Sequence, residues 1–114
     1  MDSYIRTSKH STTKAETHHS GTPFAPAGTV VFHVNAHVSH FHLLTVTGLS
    51  LPNANPAGVF AGVRAPGNDN PGYSDSFALT VNQIHTDSIT FKIWRVDSSD
   101  NPSAAIRVDC MVVL

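Results

Sequence analysis

The sequence predicts an all-β chain: a single antiparallel β-sandwich of about six strands preceded by an extended N-terminal arm. Three observations lead there. Apolar and polar residues alternate with period two in several segments, the pattern of a sheet with one buried face. Clusters of Pro, Gly and Asn separate those segments. No segment repeats its apolar residues at helical spacing. The 114 residues, 40% of them hydrophobic, suffice for one domain with a modest core.

Residues 1–28 read as the arm and 29–114 as the sandwich. The arm is polar from Ser11 to Ser20 and then passes into Gly21-Thr22-Pro23-Phe24-Ala25-Pro26-Ala27-Gly28. It buries too little apolar surface to offset its ordering entropy, so alone it is expected to be flexible. Tyr4, Ile5 and Phe24 are its candidate anchors if it lies across a neighbouring subunit.

From Thr29, strand chemistry alternates with turn chemistry. Thr29 to Val34 and His37 to Thr47 are rich in Val, Thr, Phe and Leu, and the turn material Pro52 to Gly58 follows. Val59, Ala61 and Val63 share one face of a short strand. A second turn cluster, Ala65 to Gly72, precedes Phe77, Leu79 and Val81. Ile89, Phe91 and Ile93 form the inner face of the next strand, with Thr90, Lys92 and Trp94 opposite. The last strand places Ile106, Val108, Cys110 and Val112 together, with Arg107 and Asp109 behind them. Phe32, Leu44 or Leu43, Phe77, Phe91 and Ile106 are the expected core.

Charge excludes several functions. Only 13% of residues are charged and the formal net charge is −1, so no global field draws nucleic acid or an anionic membrane. Lys92, Arg95 and Arg107 make too small a basic patch to read as a nucleic-acid site. No apolar run reaches the roughly 18 residues of a membrane-spanning helix. Met1-Asp2-Ser3 opens without the basic and apolar regions of a signal peptide, so the expected product stays in the cell that makes it or leaves inside an assembled particle. Cys110, the single cysteine, reads as a buried thiol.

Four histidines fall between His33 and His42. If that stretch is extended, His40 and His42 share one face, with His33 and His37 on the other. One pair per chain is too few ligands for a closed metal site. Three chains around an axis would supply enough for an octahedral ion, so His40 and His42 are candidate ligands across subunits, against the plainer reading of solvated or interface histidines. Asp69, Asp75, Asp97 and Asp100 flank loops without the alternating spacing of a calcium loop. No nucleophile–base constellation, nucleophile elbow or phosphate-binding glycine pattern is present, so the chain is expected not to be an enzyme and to need no cofactor.

One resemblance adds to this reading. It runs from Val31-Phe32 and Phe41 through Leu43-Leu44-Thr45-Val46, then Phe77 to Asn82, Asp87 to Asp97, and Ile106 to Val113. In that order the signals resemble the H-type lectin-like β-sandwich, found also in small bacteriophage tail and virion proteins. The resemblance implies a six-stranded sandwich forming trimers or hexamers and, in phage relatives, a tail, fibre or capsid-decorating role inside a virion assembled in the host cytoplasm. Its partners would be itself and other virion proteins. His42 stands where such domains often carry proline, and Cys110-Met111 where they often carry tryptophan. The likeness therefore speaks to the sandwich and its assembly more than to a sugar site. The alternative is a glycan-binding module, for which Tyr73, Asn82, Trp94 and Arg95 are the candidate ligand or interface residues.

Overall fold

The computed structural model describes residues 8–18, 25–66, 76–97 and 104–114, and the architecture is all-β. Eight strands form: β1 (Ser8–Lys14), β2 (Glu16–His18), β3 (Thr29–Val38), β4 (Phe41–Thr47), β5 (Gly58–Arg64), β6 (Phe77–Ile84), β7 (Ile89–Arg95) and β8 (Ala104–Val113). They make two four-stranded sheets, a front sheet ordered β1-β4-β7-β6 and a back sheet ordered β2-β3-β8-β5. The expected count of about six strands is therefore corrected to eight.

The two extra strands lie in the segment assigned to the flexible arm. β1 pairs parallel with β4 from Ser8↔Phe41 to Lys14↔Thr47, and β2 pairs antiparallel with β3. The segment is polar because it builds edge strands held by backbone ladders, with little apolar surface of its own. It changes sheets at Ala15, which is buried and donates its N–H to Thr47 O at 2.8 Å. The parallel pair also departs from the wholly antiparallel expectation. Tyr4, Ile5 and Phe24 lie outside the described residues.

The central strands follow the alternation of the sequence. Phe32, Val34 and Val38 of β3 face Leu44 and Val46 of β4, Ile89, Phe91 and Ile93 of β7, and Ile106, Val108, Cys110 and Val112 of β8 in one core between the sheets. Phe32 and Phe91 meet across it with ring centroids 6.5 Å apart. Burying each such large apolar side chain contributes about 1.5–3 kcal/mol before entropy is counted. Leu44 is the core leucine and Leu43 points out; Phe77 packs half-buried at the core margin.

The stretch from Thr29 to Thr47, which the sequence divides between Val34 and His37, forms two strands divided further along. It breaks at Ser39-His40, where the chain crosses from the back sheet to the front sheet. After β4, Leu49 and Leu51 tuck into the core, and their N–H groups donate to Asp87 O at 3.2 Å and Thr86 O at 2.8 Å in the β6–β7 turn. Before β3, Thr29 N–H and its hydroxyl both donate to Pro26 O, at 3.1 and 2.7 Å. This turn places Gly28 at a φ of 82°, where a side chain would be strained.

Candidate interaction surface

Each sheet has an outer face, and β pairing sets what sits on it. On the front sheet, Phe41 pairs with Trp94, which pairs with Ala78 on its other side. The Phe41 and Trp94 rings lie 5.1 Å apart at 31°, and Trp94 is 38% exposed. The next row is His10, Leu43, Lys92 and Thr80. Behind it, a side-chain chain runs from His10 Nε2 to Thr45 Oγ1 and on to Thr90 Oγ1, each link 3.0 Å.

On the back sheet, Val31, Met111 and Phe60 form one row. With Pro26, Asp109 and Cys110 they line a shallow concavity of about 300 Å³. Phe60 is 61% exposed. In the adjoining rows Asp109 accepts from Arg64 Nε at 2.6 Å and from Arg107 Nε at 2.9 Å. Partial burial pushes the Asp109 carboxyl up, but the hydrogen bonds and charges of the two arginines outweigh it and hold the group below the usual carboxylate range.

The sequence candidates scatter. Trp94 stands on the front outer face. Arg95, its neighbour, turns inward: its side chain is 2% exposed, lies 5.9 Å from the Phe77 ring centroid, and donates to Asp97, itself 13% exposed, at 3.0 Å. Asp97 also accepts from the Ser76 N–H at 2.7 Å. Arg95 is therefore built into the sandwich end and does not share the Trp94 face. Asn82 is exposed at the irregularity between Val81 and Gln83 in β6. Tyr73, Asp69, Asp75 and Asp100 lie outside the described residues.

His40 and His42 do not share a strand face. His40 is exposed in the connection between β3 and β4, whereas His42 is buried on the core side of β4. His42 Nε2 and Ser11 Oγ are 2.7 Å apart, and Nδ1 meets no partner among the described residues. Burial pushes the His42 pKa below 6.5, and the nearby His10 charge lowers it further. Among the described residues, no group of three or more His, Cys, Asp or Glu side chains is placed to hold a metal ion. Cys110 is buried, and desolvation pushes its thiol up to about 12, so it stays protonated at neutral pH.

Phe60, Val31 and Met111 are not among the surface candidates that the sequence offers. The signal for Phe60 is its alternation: Val59, Ala61 and Val63 share one face of the strand, which leaves the aromatic residue on the other. That Val31 and Met111 join it follows only from the registers of β3 and β5 on β8. Comparison with protein-family models, curated proteins and solved structures finds no match to this chain.

Proposed function

We propose that this chain is a non-enzymatic assembly subunit whose outer faces are covered by further copies of itself or by other virion proteins. The observation that carries the reading is that the exposed aromatic on each outer face stands in a cross-strand row with half-buried apolar side chains. Phe60 lies beside Met111 and Val31 on one outer face, and Trp94 beside Phe41 on the other. Single exposed hydrophobes are ordinary, but grouped rows on both faces mark surface that association would cover. The virion setting (phage tail, fibre or capsid decoration, assembled in the host cytoplasm) rests on the strand-order resemblance. Trimers or hexamers are the expected forms. Tyr4, Ile5 and Phe24 are the proposed contacts to neighbours.

Sedimentation velocity of the full chain over a range of concentrations tests this. A defined oligomer that weakens in Trp94→Lys or Phe60→Lys, with the circular dichroism of the parent, is expected. A monomer at every concentration would overturn the reading.

The paired Phe41 and Trp94 rings favour a second reading, surface-glycan binding, because exposed aromatic faces pack against the C–H face of a sugar ring. Retention on a glycan array, lost in Trp94→Ala with the fold intact, would select it.

A further inference from the structure

The back sheet ends at β5, and among the described residues no strand pairs with its outer side. The phase of the ladder fixes which backbone groups face that edge. Leu114 N–H donates to Gly28 O. Carried through the β3–β8 and β5–β8 registers, this turns the amides of Gly58, Phe60, Gly62 and Arg64 toward β8. The N–H and C=O groups of Val59, Ala61 and Val63 therefore point outward.

Protected edges carry lysines, prolines or bulges. From Gly58 to Val63, β5 has no charge and no proline, and its register on β8 runs without a shift to Arg64. The neighbouring edge strand β6, by contrast, carries the irregularity between Val81 and Gln83. On the outer face of β5, Phe60 is exposed and Gly62 is open: a Cβ there would meet nothing within 4 Å.

The geometry points to β5 as a strand that pairs antiparallel with β5 of a second copy, joining two back sheets across a twofold axis. This rests on the assembly reading and gives that assembly one of its contacts. Centring the pair on Ala61 places Ala61 opposite Ala61, and Val59 of each copy opposite Val63 of the other. These are the residues whose amides face outward, so about six inter-strand hydrogen bonds close. Phe60 of each copy, whose ring lies over Gly58 of its own strand, then stands opposite the open Gly62 of the other in the close-approach pairs of the ladder. Each Arg64 faces a Gly58, which keeps like charges apart.

Other registers fit less well. A shift of one residue puts inward valines on the outer face. A shift of two sets Phe60 against Phe60 or Gly62 against Gly62 and shortens the ladder. The sequence Gly58-Val59-Phe60-Ala61-Gly62-Val63-Arg64 complements itself in one register.

The test is the native mass of the full chain, by sedimentation and native mass spectrometry, for the parent, Ala61→Pro and Gly62→Lys. Ala61→Pro removes an N–H that β8 does not use, and Gly62→Lys adds a side chain where there is space, so both leave the β5–β8 ladder intact. The expected result is an even-numbered parent oligomer whose mass is halved in both variants, with parental circular dichroism. An odd-numbered parent oligomer, or an even one that both folded variants leave unchanged, would overturn the β5 pairing and leave the assembly reading standing. A parent that is monomeric throughout would overturn both.

Discussion

At the scale of single residues, His42 carries the most consequential chemistry. Its ring replaces an apolar residue on the core side of β4, with one nitrogen held by Ser11 and the other without a described partner. Burial, then the charge of His10, lowers its pKa, so the folded chain resists a proton that the unfolded chain accepts near 6.5. Its contribution to stability is complete above that value and is lost as pH falls below it toward the folded pKa. Urea unfolding at about pH 7.5 and about pH 5.5 should therefore show an acid-side fall in midpoint, reduced in His42→Leu. An equal fall in parent and variant would remove His42 as its source. Ser11→Ala, which leaves a second ring nitrogen without its partner, should cost about 1–3 kcal/mol at neutral pH.

At the scale of elements, the end of β7 shows how a charge is made part of a strand. Arg95 follows Ile89, Phe91 and Ile93 on the inward parity of β7, and burying its guanidinium is tolerable because Asp97 and the Phe77 ring receive it. Asp97→Ala should destabilise the chain by about 3 kcal/mol, the low end for breaking a buried pair, as measured by denaturant unfolding. A loss under about 0.5 kcal/mol would mean that the pair behaves as a surface contact. The same strand shows what was legible in advance. Ile89, Phe91 and Ile93 against Thr90, Lys92 and Trp94 set the faces of β7, and with them the outward Trp94. The alternation of Ile106 to Val112 did so for β8. β1 and β2 could not be read that way, because Ser8–Lys14 and Glu16–His18 join through backbone ladders whose partners lie far along the chain. The break expected between Val34 and His37 falls at Ser39-His40, which the alternation does not mark because even-numbered residues face the core on both sides of it.

At the scale of the whole molecule, β1 and β2 carry the two sheets upstream of Thr29. One short polar segment edges both sheets, crossing between them at the buried Ala15, so it covers the open sides of β4 and β3 together. It also brings Ser11 to His42 and His10 to Thr45. A strand pair of this kind closes one side of the sandwich, leaving β5 and β6 as the edges on the other. A chain restricted to residues 29–114 would expose two further strand edges next to Leu44 and Val46. Open apolar edges of that sort favour association of the wrong kind. Against a total stability of about 5–15 kcal/mol, losing both ladders should lower the thermal midpoint by more than about 10 °C and bring aggregation on heating. Differential scanning calorimetry of the two chains checks this. Matching midpoints would show that the segment is an appendage of a sandwich complete without it, free to pair elsewhere in an assembly; a large drop places it inside the subunit and leaves assembly to the outer faces and the β5 edge.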